Sequence, residues 1–113
     1  MNDVTNLLED ARSRTADPAR WTQGALARDG AGISCNYPGS GDPVCWCALG
    51  SLYRSVETLY ANRKTHLAAN LEMVVAALRL YQRTIAKVND DLGHEATLKM
   101  FDDAIAHSKL PDE

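Results

Sequence analysis

The sequence lacks an excess of basic residues: 12 Lys and Arg stand against 15 Asp and Glu, a net charge of -3. Nucleic-acid binders ordinarily gather surplus cations on one face, so this balance gives that class no support. No run approaches the roughly 20 consecutive apolar residues that span a bilayer. The richest stretch, Met73–Tyr81, is short and holds Arg79. The opening Met1-Asn2-Asp3-Val4-Thr5 lacks the basic segment and apolar run of an export signal. The cysteines are few and odd in number: Cys35, Cys45 and Cys47. Without an export signal, that count argues against a disulfide framework. The expectation is a cytoplasmic protein with reduced thiols, no membrane contact and no nucleic-acid partner. Internal repeats and low-complexity tracts are also missing, so residues 1–113 are read as one domain. What is present is ordinary for a globular chain: 45% hydrophobic and 24% charged residues, which excludes disorder for most of its length.

Apolar spacing places the elements. Val4, Leu7, Leu8 and Ala11 recur at helical intervals and predict a helix from about Asp3 to Arg14, with Asn2 or Asp3 as its cap. Asp29-Gly30 is a turn signal, and Ile33, Cys35 and Tyr37 alternate with polar neighbours. Together they predict a hairpin of Ala25–Arg28 against Ile33–Asn36, followed by a loop over Pro38–Gly41. Asp42-Pro43 reads as a helix start, because Asp caps well and Pro is tolerated at the first helical position. Trp46, Leu49, Leu52, Tyr53, Val56, Leu59 and Tyr60 then share one side of that second helix, and Gly50 and Ser51 leave room for a neighbouring backbone. The third and longest helix is expected from about Thr65 to Val88. Its heptad seam comprises Leu67, Leu71, Val74, Leu78, Tyr81, Ile85 and Val88, widened by Met73, Ala77 and Leu80. Asn89-Asp90-Asp91 ends the pattern, and a last helix runs from about Glu95 to Ser108 with Leu98, Phe101, Ala104 and Ile105 inward. The fold class is therefore mainly α: a compact bundle of about four helices with a small inserted β-hairpin.

Several constellations are candidates for chemistry. Cys47, near a helix N-terminus whose partial positive charge favours a thiolate, would be a nucleophile with His94 as base and Gln23 as oxyanion donor. The order Gln…Cys…His resembles papain-like enzymes, but the sheet that carries their histidine has no counterpart here. The ordinary reading of Cys47 is a small buried hydrophobe. Cys35, Cys45 and Cys47 with His66, His94 or His107 offer zinc-ligand types. Two thiols one residue apart on a helix, however, point about 200° apart, which is poor chelate geometry, so no metal and no cofactor is expected. Gly30-Ala31-Gly32 and Gly39-Ser40-Gly41 lead into no phosphate-binding motif and are read as turns. Trp21, Gln23, Arg28, Trp46, Asn89 and Asp90 form a set suited to a structural polar cluster, with Asp90 available to the Arg28 guanidinium. Arg79, Arg83 and Lys87 make an i, i+4, i+8 row that can face an acidic partner. The width of the Leu67–Val88 face leaves room for a homodimer contact.

Three segments carry a family resemblance: Trp21-Thr22-Gln23-Gly24 with Ala27-Arg28-Asp29; Trp46-Cys47-Ala48-Leu49-Gly50-Ser51-Leu52; and Asn89-Asp90 with Gly93 and Phe101-Asp102-Asp103-Ala104-Ile105. The chain resembles an uncharacterised family of small bacterial and bacteriophage proteins carrying only a domain-of-unknown-function label. The resemblance implies one intracellular domain, often encoded in mobile or phage DNA, and supplies no catalytic residues. The expected function is a non-catalytic protein-binding or regulatory accessory module, and the alternative is a thiol hydrolase using Cys47 with His94.

Overall fold

The computed structural model describes residues 2–35 and 41–110. Helix α1 (Asp3–Thr15) starts at Asn2, whose side chain accepts the Thr5 N–H at 2.7 Å. Its stripe of Leu7, Leu8 and Ala11 is fully buried. A 3₁₀ turn over Pro18–Arg20 follows, opened by Asp17. Strands β1 (Ala27–Asp29) and β2 (Ser34–Cys35) pair antiparallel, Ala27 opposite Cys35 and Arg28 opposite Ser34. The expected hairpin is thus present, though shorter. Its end at Asn36 and the Pro38–Ser40 part of the expected loop lie outside the described residues.

Pro43–Trp46 is a strand, β3, and not the first turn of a helix; it pairs antiparallel with the other edge of β1, Ala27 opposite Trp46, in the order β2-β1-β3. Val-Cys-Trp suits a pleated, half-buried surface, and proline is tolerated as the first residue of an edge strand. Helix α2 (Ala48–Thr58) therefore begins five residues later than Pro43 suggested, and Cys47 is its cap. Leu52 is buried and Leu49 and Val56 pack on the core, but Tyr53, Leu59 and Tyr60 are exposed. The small residues do admit a backbone: a Cβ on Gly50 would lie 1.8 Å from the Leu26 carbonyl oxygen.

Helix α3 (Arg63–Tyr81) is capped by Asn62 and stops where Gln82 turns left-handed (φ 56°). The expected continuation to Val88 is instead a short helix α4 (Ile85–Lys87), capped by Thr84, and a π-helical turn over Val88–Leu92. Gly93 then takes φ 96°, a conformation other residues resist, and starts α5 (His94–Ser108). The fold is mainly α, with a three-stranded sheet where two strands were expected. Its core joins Leu7, Leu8, Leu52, Met73, Met100 and Phe101. Each Å² of apolar surface buried there contributes about 25 cal/mol.

In the long helix the leucines of the seam face outward, whereas Met73 and Ala77 of the widened face are buried as expected. Ala69, Met73, Ala76 and Ala77 face the core, while Leu67, Leu71 and Leu78 are 59%, 60% and 53% exposed. Small residues let α1 and α5 approach α3 closely, so the alanine face is the one that packs. The C-terminal members of the seam, Ile85 and Val88, are buried on other elements.

Polar contacts fix the helices to one another. Thr5 and Ser108 share a hydroxyl contact of 2.7 Å between α1 and α5. Arg12 engages Asp102 through two nitrogens, at 2.5 and 3.3 Å. Arg14 pairs with Asp10 Oδ2 within α1 (2.8 Å) and donates across to Ser55 Oγ (2.7 Å) and the Ser51 carbonyl (2.9 Å) of α2, and Ser55 donates to Asp10 (2.6 Å). Burial pushes the Asp10 carboxyl up, but the Ser55 and Arg14 hydrogen bonds and the Arg14 charge outweigh it and hold its pKa below 3.8. A carboxyl with a folded pKa below its unfolded one adds stability above the unfolded pKa and loses it as pH falls through the folded one. Acid unfolding below about pH 4 is therefore expected to be shallower in Asp10→Asn than in the parent, read by circular dichroism across pH.

Candidate functional site

The sheet, the start of α2 and the π-helical turn meet at one residue, Asn89. Its side chain is fully buried and uses all four of its hydrogen-bonding positions. Oδ1 accepts the indole N–H of Trp21 (2.8 Å) and the backbone N–H of Ala48 (3.0 Å), in the first turn of α2. Nδ2 donates to the Thr22 carbonyl (2.9 Å) and to Asp90 Oδ1 (3.0 Å). Gln23 Nε2 donates to the carbonyls of Asn89 (3.1 Å) and Asp90 (3.0 Å), and Asp90 also accepts the Gly24 N–H (3.0 Å). The π-helical turn brings Asn89 and Asp90 up to the segment before β1, 66 to 68 residues away in sequence. Buried networks of this kind are strong when complete and costly when broken.

Two members of the predicted set behave differently. Arg28 does not reach Asp90: its guanidinium donates to Thr22 Oγ1 (3.1 Å) and to the carbonyls of Gln23 (3.1 Å) and Gly32 (3.2 Å), closing its own hairpin. Trp46 is buried beside the cluster with no partner for its indole N–H among the described residues, and its ring lies under the guanidinium carbons of Arg14 and Arg20 at 5.6 and 5.5 Å. That pair of cations contributes attraction to the ring face, which the sequence did not indicate.

Cys47 borders a pocket of about 210 Å³ together with Leu26, Leu49, Ile85, Asn89 and Asp90. Its sulfur accepts the Gly50 N–H at 3.4 Å, so it does sit at a helix N-terminus. The thiolate is nevertheless disfavoured: burial pushes the thiol pKa up, and the lowering by the Gly50 and Leu49 N–H groups is too small to reverse it. His94 is absent from that pocket lining. Its ring packs on Trp21 with centroids 5.1 Å apart. Its Nε2 lies 2.7 Å from the Thr15 carbonyl; a carbonyl only accepts, so that nitrogen carries the proton. Gln23 points its amide at the Asn89–Asp90 backbone, away from any oxyanion role. The geometry thus makes Cys47 a cap, His94 a tie to α1, and Gln23 a clamp.

The zinc-type side chains are dispersed. Cys45 lies on β3 opposite Arg28, and Cys35 lies on β2 opposite Ala27, on the other side of β1. His107 meets Glu72 at 2.7 Å, and His66 packs edge-on against Tyr53. Among the described residues no group of three potential ligands is assembled to hold a metal ion. The basic row is also broken: Arg79 pairs with Asp103 on α5, Arg83 lies beyond the end of α3, and Lys87 on α4 reaches Asp91 at 3.9 Å.

A small helical domain clamped to a three-stranded sheet through one asparagine is the class that fold and cluster define. The chain belongs to a family of unknown function, DUF6197, whose model matches residues 1–107. No curated protein and no solved structure matches it. None of the described helices is long and apolar enough to cross a membrane.

Proposed function

We propose that the protein is a non-catalytic protein-binding module, an accessory factor acting in the cytoplasm in the service of a phage or mobile element. The observation that carries the binding role is the outward face of α3, where Leu67, Leu71 and Leu78 stand more than half exposed on a well-packed helix. Helices apolar on both sides are ordinarily covered on both, and large exposed apolar patches mark interaction sites. The raised thiol pKa of Cys47 and the engagement of His94 with Thr15 support reading the cluster as a fastener.

A photo-crosslinking residue in place of Leu71, compared with one in place of the exposed Glu95, tests this in cells expressing the protein at its natural level. The expected result is a discrete protein adduct from position 71 and none from position 95. The absence of any adduct from position 71, together with turnover of an acyl substrate that Cys47→Ala abolishes, would overturn the reading.

A further inference from the structure

Resting on that protein-binding reading, we propose that the outward face of α3 receives an amphipathic helix whose ends carry carboxylates. Leu67, Leu71, Val74 and Leu78 are spaced by four, three and four, the interval at which a second helix meets a first. Beside Val74 and Leu78 runs a groove of about 440 Å³, walled across from α3 by Leu49, Ile85 and Ala86. Ridge and groove together match the mode in which an apolar helix face is laid into a cleft.

Charge decides the occupant. Among the residues lining the groove, Arg83 is the charged one. At the other end, Arg63 and Lys64 precede Leu67 by four and three residues, so both flank it on the helix surface. All three cations are exposed, and none has a salt bridge among the described residues. Asp103, Glu72 and Asp91 are engaged with Arg79, His107 and Lys87 respectively. The apolar face is thus bracketed by unpaired positive charge, although the whole chain is net negative. A second copy fits poorly. Antiparallel pairing sets Arg63 and Lys64 against Arg83 of the other copy, and parallel pairing sets each cation against itself. A helix with leucines at the same spacing and Glu at both ends fills the face and neutralises both ends.

Two synthetic peptides of the length of α3, 19 residues, test the assignment. They share the leucine spacing and differ in carrying Glu or Lys at both ends. Fluorescence anisotropy is expected to show the Glu-ended peptide binding about tenfold tighter at low salt, with the gap shrinking as salt rises. Leu71→Glu is expected to abolish binding, and Lys64→Glu with Arg83→Glu to reverse the preference, each with an unchanged circular dichroism spectrum. Equal affinity for the two peptides, or no binding of either, would overturn the assignment. So would a stable dimer that Leu71→Glu dissolves, which would give the face to a second copy. A crosslinked protein at position 71 alongside indifference to peptide charge would leave the binding reading standing and remove the acidic helix alone.

Discussion

Asn89→Asp is expected to be the most damaging isosteric change in the chain, costing about 3 kcal/mol at pH 7. The shape is kept and both acceptor contacts survive, to the Trp21 indole and to the Ala48 N–H at the start of α2. The donor is what is lost. A second carboxylate oxygen would then face the Thr22 carbonyl and Asp90 Oδ1, positions now held by Nδ2 at 2.9 and 3.0 Å. Three acceptors would converge in a buried site with no proton among them. Burial and the Asp90 charge would both raise the pKa of the introduced carboxyl. The sign follows: its folded pKa lies above its unfolded one, so the protonated acid, which can donate, is favoured as pH falls. The deficit relative to the parent is therefore expected to be largest at neutral pH and to shrink toward pH 5. Thermal unfolding at both pH values measures it, with a midpoint drop of roughly 10–15 °C at pH 7. A variant as stable as the parent at pH 7 would mean that Asn89 does not hold the sheet to α2.

Gly50→Ala is expected to cost a comparable amount, about 3 kcal/mol, for a steric reason. The added methyl would stand 1.8 Å from the Leu26 carbonyl oxygen and 2.7 Å from its carbon. Both are backbone atoms, and the same carbonyl accepts the Cys47 N–H at 3.1 Å, so relief requires the segment before β1 to lift off α2. In an exposed helix the same change would stabilise, since alanine is the better helix former. Chemical denaturation distinguishes the two: a lowered midpoint supports the close approach, and a raised one contradicts it. Marginal domain stabilities of 5–15 kcal/mol leave little reserve after either substitution.

How much of this was legible in the sequence varies by element. Helices α1 and α5 were read to within about one residue because each has one apolar stripe and a clear cap or break. The β1–β2 hairpin was read from Asp29-Gly30 and the alternation after it. β3 was missed because Asp42-Pro43 imitates a helix start, and only the pairing of Trp46 with Ala27 reveals the strand. That shift of five residues moved Cys47 from inside a helix to its cap and changed the balance between burial and helix charge on its thiol. Met73 and Ala77 were read as part of the apolar face of α3, but its leucines were placed inward because bulk attracts attention: Leu67, Leu71 and Leu78 at heptad spacing outweigh Ala69 and Ala76 on paper. A close-packed interior can select the smaller side, and no local rule says which. The membership of the polar cluster was visible as residue types, but not the role of Asn89 as its centre, which depends on a π-helical turn with no sequence signal of its own. The Arg28–Asp90 pair was suggested by charge alone, and backbone carbonyls nearer in sequence claimed the guanidinium instead.

Cys47 is a helix cap whose burial disfavours the thiolate, and we propose that it lies beside a fastener and not within a catalytic centre. Timed modification of the native protein with a charged alkylating reagent at neutral pH, read residue by residue by mass spectrometry, tests this most directly. Cys47 is expected to stay unmodified until denaturant unfolds the chain, in step with the loss of helical signal. Rapid labelling of Cys47 in the folded protein, ahead of the half-buried Cys45, would contradict the account.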